Sequence, residues 1–252
     1  MRARTRKIAL VLVVSAILVA IAVAAPYGPK SVTVEQSDRK TEFNESISSV
    51  QAQAGNVTQL RINVSMQTKR WQGYYGNITG IVTLQDANGF RMYEWGNDDT
   101  VTPIGEVYAS NNTVGDWTRV FCVNLTANSS NTTLYGPNAT ILEGLYGAGL
   151  TDRDGIDETF TAFANITIGS KTMNCSAIQV YNGSASPSYN WNETLLYENA
   201  TIEETTRSII YAAQVAQNQN GFNNNTWDFQ MIVGENGDIS TTTTYYFYVE
   251  LV

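Results

Sequence analysis

The chain has 252 residues, 43% hydrophobic and 15% charged: ample for a core, but with little charge. Its formal net charge of −8 argues against a nucleic-acid partner or an anionic lipid surface, since few cations are present to neutralise phosphates. It contains no His, which excludes Ser-His-Asp and Cys-His nucleophilic sites and His-based metal centres.

Arg2, Arg4, Arg6 and Lys7 precede an uncharged apolar stretch from Ile8 to Ala25, which is broken by Pro26, Gly28 and Pro29. This layout predicts a secretory signal peptide over residues 1–24, with Ala22-Val23-Ala24 as an A-x-A cleavage site. The same stretch is 18 residues long, at the lower limit for crossing a bilayer, so an uncleaved anchor through residues 8–25 is the alternative. The cations lie before the apolar run, which places the remainder outside in either case. Without the leader the chain is more acidic still, near −12.

Residues 25–55 read as a polar arm, with Asp38, Arg39, Lys40, Glu42 and Glu45 in a row of charges. Within it Ser31-Val32-Thr33-Val34-Glu35 alternates as a short strand would. From Asn56 onward the patterning is β. Strands are predicted at Val57–Met66, at Gly80–Leu84 and Phe90–Trp95 as a hairpin, at Glu106–Ala109 and at Thr118–Leu125. Further strands are predicted at Thr159–Ile168, Ala177–Tyr181, Thr226–Val233 and Thr244–Val252. Ile141–Leu150 contains Gly144, Gly147 and Gly149, which makes it a poor helix and a broken strand. Glu203–Ala216 fits a helix or a strand, and the β-branched run through Ile209 and Ile210 favours strand. The expectation is an all-β fold: one antiparallel β-sandwich, Ig-like or jelly-roll-like, over residues 56–252, preceded by the signal or anchor helix and the arm.

Fifteen N-x-[ST] sequons run along the chain, at Asn44, Asn56, Asn63, Asn77, Asn111, Asn124, Asn128, Asn131, Asn138, Asn165, Asn174, Asn182, Asn192, Asn199 and Asn224. With 24 Asn and 46 Ser plus Thr, chance would give roughly four. The excess marks an exported glycoprotein, although a Thr/Asn-rich β protein also generates sequons by composition. Cys122 and Cys175 are the only cysteines. Outside the cytosol they read as one disulfide, worth about 3–4 kcal/mol on the chain-entropy model. Two buried free thiols are the alternative.

Glu94, Glu106, Asp116 and Glu143 fall near strand ends, but nothing in their spacing selects a catalytic pair. No Gly-rich phosphate loop is present. The densest acidic run is Asp152-Arg153-Asp154-Gly155-Ile156-Asp157-Glu158. Carboxylates two apart followed by Gly resemble the opening of a calcium loop, with Asp152, Asp154, Asp157 and Glu158 as candidate Ca²⁺ ligands. Ile156 and Phe163 stand where an EF-hand-type loop would need oxygen ligands, and a plain Asp/Gly turn between strands is the competing reading. Asn97-Asp98-Asp99 is a weaker acidic turn. Trp71, Tyr74, Tyr75, Trp95, Trp117, Trp191, Tyr245, Tyr246 and Tyr248 could stack on sugars or form an interface, or simply fill the core.

Four stretches are distinctive: WQGYYGNITG from Trp71 to Gly80, GEVYA from Gly105 to Ala109, WDFQMIV from Trp227 to Val233, and the terminal YYFYVEL of Tyr245–Leu251. Together they resemble a group of exported archaeal cell-surface proteins. The resemblance spans most of residues 56–252 and implies an archaeal cell-surface location and nothing catalytic. The expected function is therefore a non-enzymatic surface glycoprotein, structural or adhesive, in an envelope or filament. Its expected partners are further copies of itself, other surface proteins, or glycans. A lectin-like or glycan-processing domain is the alternative.

Overall fold

A computed structural model describes residues 25–39, 49–62, 67–80, 82–95, 105–125, 137–149, 151–182, 189–199, 208–237 and 240–251. The predicted leader, residues 1–24, lies outside these residues, and of the alternative anchor only Ala25 is among them.

The fold is all-β. Its centre is a seven-stranded antiparallel sheet built from β4 (Gly105–Ser110), β5 (Val120–Cys122), β6 (Ala162–Ile168), β7 (Lys171–Tyr181), β8 (Tyr189–Glu198), β9 (Ile209–Gln214) and β13 (Tyr246–Leu251). The order is β13-β4-β9-β8-β7-β6, and β5 also pairs with β8. The sequence IIYAAQ of β9 is apolar on both faces because both faces are covered, and only its last residue is exposed. The order of the other strands follows from β8. Its first half pairs with β7 through Ala177↔Thr194 to Tyr181↔Tyr189, and its last three residues pair instead with β5. The two thus follow one another along the same side of β8.

The two faces of the sheet carry separate cores. On the first, Val107, Ala109, Leu195, Tyr197, Ile209, Tyr211 and Ala213 pack under a second layer. That layer is the β1 (Trp71–Gly76) and β12 (Phe229–Gly234) pair, joined by two short helices, α1 (Ala139–Leu145) and α2 (Ile156–Thr159). On the second face, Tyr108, Ile166, Ile168, Cys175, Leu196 and Ile210 form one cluster. Strands β4 and β6 are not neighbours in the sheet, so sharing a cluster requires the sheet to curl upon itself. Its ends meet: the amide of Gly169, in the β6–β7 turn, donates to Glu250 of β13 at 2.9 Å. Small two-stranded pieces complete the chain, namely β2 (Val82–Gln85) with β3 (Arg91–Trp95), and β10 (Gln219–Asn220) with β11 (Thr226–Trp227).

Several expectations are corrected. Residues 57–62 alternate but form no strand; Val57, Leu60 and Ile62 are exposed, and alternation without a partner sheet has nothing to bury against. The arm segment at Ser31–Glu35 is likewise without strand pairing. Thr118–Leu125 shortens to β5, because Asp116 caps a 3-10 turn over Trp117–Arg119 by accepting from the Thr118 amide. The glycine-containing stretch after Ala139 is the helix α1. Asn138 caps it through the Ile141 amide, and Gly147, at φ +63°, ends it. Burial of Ala139, Leu142 and Tyr146 outweighs the roughly 1 kcal/mol that Gly144 costs in a helix. No strand was expected at β8, the centre of the sheet. The β2–β3 hairpin, β4, β6, β9, β12 and β13 fall where predicted.

Candidate functional site

The acidic run 152–158 divides in two. Asp152 accepts from Arg70 Nη2 at 2.8 Å and from the Gly149 amide at 2.9 Å. Asp154 accepts from Thr68 Oγ1 at 2.6 Å and lies 3.7 Å from Arg70 Nε. Arg70 also donates to the carbonyls of Tyr146 and Gly147, so its guanidinium clamps this turn to the end of α1. These two carboxylates therefore already have a cation.

Asp157 and Glu158 turn the other way and meet Glu143, which α1 presents from the core side. One carboxylate oxygen from each of the three lies within 4.8 Å of the others; among the described residues this is the only such acidic group. Glu143 is 1% exposed. Its Oε1 accepts a short hydrogen bond from the Ile156 amide, whereas its Oε2 has no partner, and neither has the buried Oδ1 of Asp157. Burial pushes the Glu143 carboxyl up, and the charges of Asp157 and Glu158 add to the shift. Glu158 is also raised, chiefly by its hydrogen bond with Asp157. Gly155 makes the convergence possible. Its backbone, at φ −71°, would suit any residue, but a Cβ there would lie 2.6 Å from Glu158 Oε2 and 2.8 Å from Glu143 Oε1.

The other candidate carboxylates scatter. Glu94 pairs with Arg91 at 2.7 Å on β3, and Asp116 caps its turn. Glu106 stands directly across β4–β13 from Glu250. Burial, then the charge of Glu250, raises Glu106 to about 7. Glu250 is 2% exposed, and its oxygens accept from Tyr108 Oη and the Gly169 amide. Sequence reasoning missed Glu250 because it sits inside an aromatic strand, where its cross-strand neighbour depends on register. Asn97, Asp98 and Asp99 lie outside the described residues.

Cys122 and Cys175 form a disulfide with Cα atoms 5.1 Å apart, joining β5 to β7. Eleven of the sequon asparagines are described, and none is buried: Asn56, Asn77, Asn124, Asn165, Asn174 and Asn224 are exposed, and Asn111, Asn138, Asn182, Asn192 and Asn199 half-buried. Asn165 and Asn174 face each other across β6–β7, joined by a 2.8 Å side-chain hydrogen bond. Asn44, Asn63, Asn128 and Asn131 lie outside the described residues.

The aromatics do not form one row. Trp191 is buried and donates to the Asp228 carbonyl. Trp117 packs between Tyr108 and Tyr248, and Trp71 against Phe160. Tyr74 meets Phe247 edge-on. The surface group is Tyr75 with Phe222 at 4.8 Å and Trp227 at 4.9 Å. Phe222 was not singled out from sequence, since it lies alone in a polar turn. Comparison with protein families, characterised proteins and solved structures finds no match for this chain.

Proposed function

We propose that this protein is a non-enzymatic, exported cell-surface glycoprotein, an envelope or filament subunit of the archaeal kind its motifs resemble. The observation that carries the reading is the placement of the sequons. Every described acceptor asparagine lies outside the two cores, so glycans can be added without opening the fold. The formed disulfide supports it, since such bonds persist in oxidising compartments. Intact mass and N-terminal sequence of protein recovered from its native cells test it. A chain starting near Ala25 with many hexose-sized additions at the sequons is expected. Unmodified asparagines throughout would end the proposal.

One observation favours a second reading, contact with glycans. The half-exposed trio of Tyr75, Phe222 and Trp227 offers apolar ring surface of the kind that stacks on sugars. Added glycans should quench tryptophan emission in the parent and not in Trp227→Ala; equal quenching in both would remove the trio from consideration.

A further inference from the structure

We infer that Glu143, Asp157 and Glu158 form a divalent-cation site of the calcium class, which ties α1 to α2 over the first core. Two independent observations meet here. The three carboxylates converge, with one oxygen from each within 4.8 Å of the others. Within that cluster, Oε2 of Glu143, on a side chain 99% removed from solvent, has no hydrogen-bond partner, nor has the buried Oδ1 of Asp157. A buried carboxylate oxygen without a donor is costly. Any nearby protein cation would relieve it, but among the described residues no Lys or Arg forms an ion pair with these three acids. Arg70, the cation of this region, is spent on Asp152 and Asp154.

The chemistry selects the ion. All donors are carboxylate oxygens, which suit a hard cation rather than a soft one. One oxygen from each of the three lies within 4.8 Å of the others, which is the reach of a single Ca²⁺ that holds its oxygens at about 2.4 Å. Mg²⁺ demands near-octahedral ligands at about 2.0–2.1 Å and usually takes only one or two carboxylates, so three converging carboxylates favour Ca²⁺. Glu158 is exposed, which leaves the outer side of the site open to water ligands. The motif read from sequence thus donates only its second half, Asp157 and Glu158. The deciding ligand, Glu143, comes from the preceding helix, α1.

The experiment is a titration of the chelator-stripped full glycoprotein with CaCl₂ and, separately, MgCl₂, read by calorimetry and by thermal unfolding. One site per chain is expected, with a Kd of about 10⁻⁴–10⁻³ M, the range of extracellular calcium modules. Saturation should raise Tm by roughly 5 °C or more. Glu158→Gln, at an exposed position that puts folding at little risk, should weaken Ca²⁺ binding at least tenfold, as should Glu143→Gln. Asp154→Asn should leave it within twofold. No heat and no rise in Tm up to about 20 mM Ca²⁺, well above that range, would overturn the site. So would a Glu158→Gln protein that titrates like the parent. Mg²⁺ binding as tight as Ca²⁺ would overturn the assignment to calcium.

Discussion

Five acids, Glu143, Glu193, Glu198, Asp228 and Glu250, are buried among the described residues, and each accepts a backbone N–H from a remote segment. Glu198 takes the amides of Gly115 and Asp116, and Asp228 those of Ile78 and Asn218. These carboxylates close loops onto the sheet where a strand ladder cannot reach, which offsets part of the penalty for their burial. Glu193 bolts the two layers together: from β8 it accepts the Ile232 amide of β12 at 2.8 Å, and burial holds its carboxyl well above the usual range. A neutral side chain of the same shape should therefore serve as well. Glu193→Gln should stay within about 1 kcal/mol of the parent in urea unfolding, whereas Glu193→Ala should lose about 2–3 kcal/mol by orphaning the Ile232 amide and leaving a cavity. Glu106 predicts a pH dependence. Its folded pKa, about 7, is raised from 4.5, so its stabilising contribution is complete below about 4.5 and is lost as pH rises through 7. Glu106→Gln should remove that loss. Allowing for the partial exposure of the group, it should gain about 1–2 kcal/mol at pH 8 and nothing at pH 4, read from melts at the two pH values.

At the scale of elements, the disulfide holds the place where the sheet changes partner. Strand β7 leaves β8 after the Ala177↔Thr194 pair and continues with β6, while β5 takes up the end of β8. The Cys122–Cys175 bond fastens β5 to β7 at that divergence, closing a sequence separation of 53. Replacing both cysteines by Ser should cost about 3–4 kcal/mol in urea unfolding, with the rest of the sheet retained in circular dichroism. The same divergence explains what the sequence conveyed. Strand β9 was readable because Ile209, Ile210 and Tyr211 are apolar on both faces, and the β2–β3 hairpin because Asp86 and Gly89 supply its turn, Gly89 at φ +85°. Strand β8 was not readable, because its YNWNETLLYE run buries Glu193, Thr194 and Glu198, so neither alternation nor an apolar run marks it. The carboxylate cluster was half readable: Asp157 and Glu158 stood in an evident acidic run, but Glu143 is brought to them only by the packing of α1 on α2.

For the whole molecule, the large sheet ends in two edge strands, β6 and β13, and the arm lies against the second. Strand β13 ends the large sheet, with β4 on its inner side. On its outer side Tyr27 of the arm forms a reciprocal bridge with Val249, at 3.1 and 2.9 Å. Among the described residues, that is the only backbone pairing on this side of the strand. The arm then continues past it, exposed from Lys30 through residue 39, with Val32 60% and Val34 78% accessible. Fully extended, residues 25–39 would span about 50 Å, against about 20 Å for the six residues of β13. The arm is thus long enough to pair with more than its own edge. An edge that among the described residues is paired only at Tyr27–Val249, and an unpaired alternating segment on the same chain, are complementary parts of a strand-addition contact. Made between copies, such a head-to-tail contact propagates as an open fibre. Protein lacking residues 25–55 should accordingly remain a folded monomer and form no fibres in negative-stain images. A synthetic peptide of residues 26–39 should bind that truncated protein. Fibres that persist without the arm would place the subunit contact elsewhere, and a truncated protein that ignores the peptide would show that the Tyr27–Val249 bridge only tidies the chain's own edge.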